Sequence, residues 1–507
     1  MTVQHHDWIA HHANGRGDQV AMVDLATGRA VTYREFDDRI ARLAAALRSQ
    51  YGIGRGDRVA VLAHNAADIF EVQFACGRLA AVFVPMNWRL TVSELRFIVG
   101  DCAPKVLIHD PEFAEAAIEL AAACGVDQLC THGCVDSDYE RLIASAQRLP
   151  VSEPTTYDDV ATILYTSGTT GHPKGAIITY GMRFWQAINM AGPMVISQRS
   201  VCLTALPLFH VGGLDVYANP IFHFGGRVLV MRTYEPATAL RLLSSAEAGI
   251  NLFVGTPAHY QFMARLPEFA TAAFSPDLLA GIAASPVPLP VLREWEMRGL
   301  PLQQLYGMTE SCGGVMALDP EDRVRKAGSA GKAALHVDVR LVRVDGSDAP
   351  VGEMGEIWLR GPSITPGYWK NPEASAAAFS DGWLRTGDAA QMDDEGYFTI
   401  VDRWKDMYIS GGENVYPAEV EDVLYRLDAI AEVAIIGVPD EMWGEVGRAI
   451  VVTKQDRALS EADIMLHCAA HLARYKLPRS IRFVEALPRN ATGKVHKPTL
   501  RARFGAA

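Results

Sequence analysis

The apolar positions of this chain fall into two alternating periods. Runs such as Arg58-Val59-Ala60-Val61-Leu62 and Val160-Ala161-Thr162-Ile163-Leu164-Tyr165 are nearly continuous, the pattern of strands buried on both faces. Between such runs the apolar residues recur at three and four positions, as on one face of a helix. Thr32-Tyr33-Arg34-Glu35 has a capping-box pattern and opens an amphipathic helix predicted to reach residue 47. The turn Gly52-Ile53-Gly54-Arg55-Gly56-Asp57 closes that unit. Helix and strand alternate in this way to about residue 360, which predicts a layered α/β body with largely parallel sheets.

The rhythm changes over 360–410. Glu356-Ile357-Trp358-Leu359-Arg360-Gly361 and Gly396-Tyr397-Phe398-Thr399-Ile400 read as short strands beside glycine-rich turns, hence a small β-rich unit. Asp402-Arg403-Trp404-Lys405-Asp406 then sets four charges and one tryptophan between two apolar runs, and a domain boundary is placed there. Beyond it, 417–427 predicts a helix with Val420, Val423, Leu424 and Leu427 on one face. Residues 433–438 and 449–452 read as strands, and Ser460-Glu461-Ala462-Asp463 caps a helix running to about 473. The expected fold is therefore α/β. A large body, 1–404, would carry the layered subdomains and the β-rich unit, and 405–507 would form a small α+β domain.

Composition narrows the possible functions. At 507 residues the chain exceeds one ordinary domain, and its 49% apolar and 21% charged residues are usual for a soluble globular protein. The net charge of −12 argues against nucleic acid as a partner, while leaving room for a small anion in a local basic pocket. Eight cysteines are scattered, and only Cys130 and Cys134 are close, with no second pair to complete a zinc site. Free buried thiols in a reducing compartment are expected. His5, His6, His11 and His12 sit in a polar terminus and are read as solvated rather than metal-binding. That terminus has no apolar core of a signal peptide, no run approaches the roughly 18 apolar residues of a membrane helix, and Phe504-Gly505-Ala506-Ala507 is not a peroxisomal address. A cytoplasmic protein without integral membrane association is expected, and assembly as a homodimer is left open.

The chemistry gathers at Thr166-Ser167-Gly168-Thr169-Thr170-Gly171-His172-Pro173-Lys174-Gly175, where three glycines, four hydroxyls and one lysine lie within ten residues. Such a loop can turn its N–H groups toward an anion, with hydroxyl donors and the mobile charge of Lys174 added. It departs from the Walker pattern, because Pro173 precedes the lysine and Gly175 follows it. The strand-like Ala176-Ile177-Ile178 also stands where a Walker loop would open a helix. Read alone, the string is a phosphate loop or a polar surface turn.

Four more motifs follow in order: Tyr306-Gly307-Met308-Thr309-Glu310, Trp383-Leu384-Arg385-Thr386-Gly387-Asp388, Asp402 to Asp406 continuing into Ser410-Gly411-Gly412-Glu413-Asn414-Val415-Tyr416-Pro417, and Pro488-Arg489-Asn490-Ala491-Thr492-Gly493-Lys494. Together the five resemble the adenylate-forming, AMP-binding superfamily of acyl- and aryl-CoA synthetases, luciferases and peptide-synthetase adenylation domains. The acyl-CoA synthetase or fatty-acid–CoA ligase branch is the nearest. The resemblance implies ATP, Mg2+ and coenzyme A as cofactors and a small carboxylic acid as substrate. It places the ATP phosphates on Ser167, Gly168, Thr169, Thr170, Gly171 and Lys174, and Mg2+ on Glu310 and Thr166. Tyr306 would stack on adenine beside Gly307 and Met308, with Ser285 also bordering the nucleotide. Thr309 would hold an α-phosphate oxygen, and Asp388 and Arg403 the ribose. Lys494 would bridge the carboxylate and the α-phosphate. Lys405 would be the hinge about which the C-terminal domain turns, bringing Gly411, Gly412 and Glu413 to the site for thioester formation. Trp443 resembles a tryptophan that contacts the pantetheine arm in some relatives, and reads equally as a packing residue. Lys476 and Arg479 are candidate contacts for a CoA phosphate.

A carboxylate is a poor acyl donor, because its leaving group would be oxide. Attack of its oxygen on the ATP α-phosphate gives an acyl-adenylate and pyrophosphate, and a thiol then displaces AMP. Both first reactants are anions, so the site must neutralise charge and align them. The acyl pocket is less legible. Pro207-Leu208-Phe209-His210-Val211-Gly212-Gly213 resembles the segment that lines it, with His210 at the mouth or, equally, a hydrogen-bonded core histidine. Asp215 either points away or limits which acids fit. Relatives often have Gly-Gly-Ala-Pro where this chain has Ala283-Ala284-Ser285-Pro286, and the added methyl groups would narrow the slot. A medium-chain fatty acid is the favoured expectation, with aryl acids of the benzoate or hydroxycinnamate type as the alternative. Two other readings stay open: an adenylation enzyme that loads a carrier protein, and a non-catalytic nucleotide-binding protein.

Overall fold

In the computed structural model the described residues are 3–126, 128–132, 136–166, 173–284, 287–403, 406–410, 413–440, 443–455, 457–472, 474–489 and 494–505. Four sheets organise them. The first has six strands in the order Gln128–Thr131, Val106–His109, Arg58–Leu62, Val82–Met86, Val160–Thr166 and Lys174–Thr179. Its ladders are parallel except for the last, an antiparallel hairpin. In Arg58–Leu62 every residue after Arg58 is buried, as the continuous apolar run requires of a strand covered on both faces.

The second sheet has nine strands. Its centre, running from Gln303–Met308 through Leu279–Ile282, Leu252–Gly255, Val201–Thr204 and Arg227–Val230 to Val20–Asp24, is parallel. Antiparallel strands close it at both ends. Helix Tyr33–Tyr51 packs on the body through Phe36, Ile40, Leu43, Ala44 and Leu47. Its predicted capping box is present: Glu35 N donates to Thr32 Oγ1 and Thr32 N to Glu35 Oε2. Gly52, at φ 62°, ends the helix in a left-handed turn four residues beyond the predicted limit, and such a conformation suits a residue without Cβ.

The third sheet is the expected β-rich unit, with Asp338–Val342, Met354–Arg360, Trp383–Met392, Phe379–Ser380 and Phe398–Arg403 all antiparallel. Its last strand starts two residues later than the pattern predicted, because Gly396, at φ 83°, belongs to the turn before it. The fourth sheet lies in the C-terminal segment, where Glu413–Val415, Tyr408–Ser410, Gly444–Thr453, Ile430–Asp440 and Ser480–Phe483 pair. Helices Pro417–Tyr425 and Glu461–His471 form as the pattern predicts, the second capped by Ser460. Among the described residues no helix is long and apolar enough to cross a membrane. The described cysteines are free, and all but Cys124 are buried.

The N-terminal histidines depart from expectation. His6 and His11 are exposed, but His12 is buried with Nε2 donating to the His223 carbonyl at 3.0 Å. His5 stacks on Tyr180 with ring centroids 4.4 Å apart. The short helix Trp8–Arg16 docks on the body, and its apolar Trp8 and Ile9 carry the histidines inward with them. Burial pushes His5 and His223 down to about 4. The unfolded chain takes up these protons near the ordinary value of about 6.5, and the folded chain resists until about 4. Stability present above the unfolded value is therefore lost as pH falls through this window, by up to about 1.4 kcal/mol per pH unit per site. Urea unfolding near neutrality and near pH 5 should show that loss, and a shallower one in the double variant His5→Phe, His223→Phe. An identical slope in the variant would refute the assignment.

Candidate active site

Strands Val160–Thr166 and Lys174–Thr179 pair with Thr166 opposite Lys174 and Tyr165 opposite Gly175. The polar string therefore closes a hairpin, not a strand-to-helix turn. A Cβ on Gly175 would stand 2.6 Å from the Ile163 side chain and 3.1 Å from the Tyr165 ring, so the hairpin closes only over glycine. Ser167, Gly168, Thr169, Thr170 and Gly171 lie outside the described residues. Their flanks are fixed: Thr166 Oγ1 is 3.4 Å from the Lys174 carbonyl, and Lys174 Nζ lies 5.4 Å from the centroid of the Tyr368 ring.

Strand Gln303–Met308 delivers Tyr306, Gly307 and Met308 to one end of the second sheet. A tight turn, Thr309–Ser311, then presents Thr309 and Glu310, and Ser311 Oγ accepts from Met308 N at 3.0 Å. This turn lies against strand Lys174–Thr179, which brings the hairpin and Glu310 together. Segment 365–369 joins them. Its main chain exchanges Ile177 N to Gly367 O at 3.1 Å and Trp369 N to Gly175 O at 2.7 Å, while Thr365 N donates to Glu310 O at 2.7 Å. Tyr368 Oη donates to Glu310 Oε1 at 2.8 Å, and burial, with the charge of Glu310, raises the Tyr368 phenol.

Tyr306 Oη donates to Asp388 Oδ2 at 2.7 Å and so ties the second sheet to the third. Asp388 N donates to Thr386 Oγ1 at 3.1 Å. Arg403 stands directly opposite Asp388 on the neighbouring strand, although its side chain is outside the described set. The two residues expected at the ribose thus share one end of one sheet.

His210 ends the approach to a helical segment that continues through a π-helical turn, Leu214–Ala218. Its Nε2 is buried and meets no hydrogen-bond partner among the described residues. Burial, with the charges of Lys494 and Arg89, pushes it down to about 3, so the imidazole is neutral at any physiological pH. The charge of Lys494 therefore reaches His210. Arg89 was missed from sequence. Its guanidinium lies 4.9 Å from the Trp88 ring centroid and 5.8 Å from that of Phe209. An arginine between apolar residues was the available cue.

Other sites resolve differently. Asp215 is fully enclosed, accepting from Arg183 Nε at 3.0 Å and Asn219 Nδ2 at 2.6 Å. Gln73 Nε2 donates to Asn219 Oδ1 at 2.7 Å and extends the network. Asp215 is thus held by a buried arginine. Lys476, a candidate for the CoA phosphate, is bound by both Glu419 oxygens at 2.6 and 2.8 Å. Trp443 is 38% exposed, with the Arg479 guanidinium 5.7 Å from its ring centroid. Strand Leu279–Ile282 ends before Ala283, and Ala284 adopts φ 76°, a left-handed conformation that costs an alanine more than it would a glycine. Ser285, Lys405, Gly411 and Gly412 lie outside the described residues, as does the side chain of Glu413, whose main chain lies in strand Glu413–Val415.

The family model for the AMP-binding enzyme matches residues 9–369, and that for the AMP-binding enzyme C-terminal domain matches 419–494. Feruloyl-CoA synthase of Amycolatopsis is 41% identical over 480 residues, covering 94% of this chain and 95% of that protein. A long-chain-fatty-acid–CoA ligase of Mycobacterium tuberculosis is 38% identical over 488 residues, covering 96% and 95%. The Bacillus subtilis o-succinylbenzoate CoA synthetase, solved with its acyl-adenylate OSB-AMP, superposes with a TM-score of 0.89 at 30% identity, covering 98% of each chain. The chain belongs to the AMP-binding enzyme family. Within it, the fold and these relatives make it a ligase of the AMP-forming, acid–thiol class.

Removing Asp215 leaves Arg183 buried without its ion-pair partner, although Gln73 and Thr162 still accept from it. Asp215→Ala is expected to cost about 3–5 kcal/mol in urea unfolding, the usual cost of breaking a buried pair from one side. The order of preference among acids should not change in the folded fraction. A changed acid preference at unchanged stability would return Asp215 to the acyl pocket.

Proposed function

We propose that this protein is an ATP-dependent CoA ligase that activates a compact aromatic carboxylic acid through its acyl-adenylate. Residues 405–507 would act as the mobile C-terminal domain on a body of 1–404. The carboxylate oxygen attacks the α-phosphorus of ATP, the bond to pyrophosphate breaks, and the acyl–AMP anhydride forms. A thiol then attacks the acyl carbon, and AMP leaves with the bonding electron pair. Tyr306 and Asp388 would hold adenosine, Lys174 and the loop the phosphates, and Lys494 the two reacting anions.

Glu310 and Thr166 offer a carboxylate and a hydroxyl, the oxygen donors Mg2+ takes, and Glu310 already has one oxygen anchored by Tyr368. Bound there, Mg2+ would supply neutralisation of phosphate charge. The neutral imidazole of His210 lets it border an acyl group without repelling Lys494.

One observation carries the choice of acid. A Cβ on Gly281, in the strand that leads to Ala283 and Ala284, would meet Tyr217 Oη at 2.6 Å and Leu305 Cδ1 at 2.8 Å, so buried side chains pack directly against that strand. An acyl group lodged against this strand would find that space taken, which suits a short, flat acid better than a long chain. The methyl group of Ala284 adds to that narrowing. Relatives named for ferulate and o-succinylbenzoate accord with this, and the one named for long-chain fatty acids keeps the fatty acyl reading as the competing one.

AMP release should be measured with ATP and Mg2+ over ferulate, coumarate, benzoate, octanoate and palmitate, each with and without CoA. The expected outcome is CoA-stimulated turnover with kcat/KM at least about tenfold higher for an aromatic acid than for octanoate, a gap of about 1.4 kcal/mol. Octanoate or palmitate as the best substrate would overturn the aromatic assignment, and turnover indifferent to CoA would point to carrier loading. Lys494→Ala is expected to slow adenylation about 100- to 1,000-fold while sparing thioester formation from supplied acyl-AMP. Equal loss of both steps would remove Lys494 from the first.

A further inference from the structure

Tyr368 stands between two groups that bind opposite partners. On one side its hydroxyl donates to Glu310 Oε1 at 2.8 Å, and on the other its ring centroid lies 5.4 Å from the Lys174 ammonium. Neither contact is loose, because the residue is fixed from several directions. Tyr368 N donates to Ser375 Oγ at 2.8 Å, and Ser375 Oγ donates in turn to the Asn371 carbonyl at 2.7 Å. Gly367, at φ 143°, lets the chain pass so near that a Cβ there would stand 2.6 Å from Ser375 Oγ. Thr365 Oγ1 donates to Ile177 O at 2.7 Å, and Ala176 bridges Tyr368 through the main chain. The phenol is thus placed by rigid backbone, the condition under which a supporting group orients another.

The consequences follow from the two contacts. A carboxylate with one oxygen tied to a phenol has lost its freedom to rotate, and its remaining lone pairs point in set directions. Groups that orient a metal ligand in this way are worth about 10- to 100-fold in metal affinity. An ammonium within about 6 Å of a ring centroid is attracted to the ring face, by roughly 0.5–1 kcal/mol where exposed. With the ring removed, the ammonium and the carboxylate would be free to pair with each other and close the site to nucleotide.

We propose that Tyr368 is a positioning residue for the magnesium–nucleotide complex: its hydroxyl orients the Glu310 carboxylate toward the metal, and its ring holds Lys174 apart from that carboxylate. The proposal rests on the ligase reading, in which Glu310 carries the metal.

Binding of Mn2+ with α,β-methylene-ATP, followed by electron paramagnetic resonance, tests this on the full chain without turnover. Tyr368→Phe keeps the ring and should weaken Mn2+ binding about tenfold, with adenylation activity recovered by added Mg2+. Tyr368→Leu loses both contacts and should also weaken binding of the analogue without metal. In the Glu310→Gln background the further effect of Tyr368→Phe should vanish, since no carboxylate would remain there for the hydroxyl to orient toward the metal. Wild-type Mn2+ affinity in Tyr368→Phe, or an undiminished effect in the Glu310→Gln background, would overturn the proposal. A thermal midpoint read on each variant separates it from simple unfolding. Failure of Glu310→Gln itself to weaken Mn2+ binding would remove the metal from Glu310 and sink the reading beneath.

Discussion

The main-chain seam between strand Lys174–Thr179 and segment 365–369 is the interaction on which the candidate site depends. Ile177 N to Gly367 O and Trp369 N to Gly175 O are ordinary backbone hydrogen bonds, each worth only about 1 kcal/mol net. Their importance is positional. They fix the far side of the polar hairpin against the turn that carries Glu310, and Thr365 N completes the link by donating to the Glu310 carbonyl. Groups from three distant stretches of sequence then face one space, held by backbone rather than by long side chains. Sites built on rigid elements hold their geometry more closely than sites on loops alone.

That geometry also controls charge. The body encloses ionisable groups, and each enclosure is answered in a different way. Asp215 is answered through Oδ1 by Arg183 and Asn219, and Gln73 supports Asn219 in turn. His210 is answered by losing its proton, because burial and the nearby charges of Lys494 and Arg89 all act in that direction. The result is a neutral imidazole beside the charges of Lys494 and Arg89. Anionic reactants would meet positive charge there without a protonated imidazole competing for it.

Much of this could be read from sequence, and the parts that could not share a cause. The double-sided strands, the capped helix at Thr32 and the β-rich unit follow from local periodicity, which hydrophobic patterning reports directly. Among the described motif residues, Tyr306 meets Asp388 through a hydrogen bond, and Arg403 lies across from Asp388. What patterning could not report is pairing at long range. Tyr368 sits in a short stretch with no period of its own, and its partner Glu310 lies on another element. Arg89 looks like a lone surface charge until its place near the Trp88 and Phe209 rings is seen. His5 and His12 looked solvated because they stand in a polar terminus, but a docking helix carries them inward. Lys476 looked available for a phosphate until Glu419 claimed it.

The same division separates the reaction from its substrate. On the nucleotide side, recognition as proposed would draw on a hairpin that closes over Gly175 and on a few polar side chains whose types the chemistry dictates. Such requirements leave a string of residues that can be recognised in one sequence. On the acid side, as proposed, the fit would depend on how Tyr217 and Leu305 pack against Gly281 and on the left-handed turn at Ala284. These are matters of volume, and many combinations of apolar residues produce the same volume. No short string reports them, and a single methyl group in such a pocket changes discrimination by only about 1–3 kcal/mol. Discrimination built from packing is therefore spread thinly over many positions, whereas the phosphate chemistry is concentrated in a few. Motifs accordingly identify the bond this enzyme makes, and only the packed structure constrains which acid it is made from.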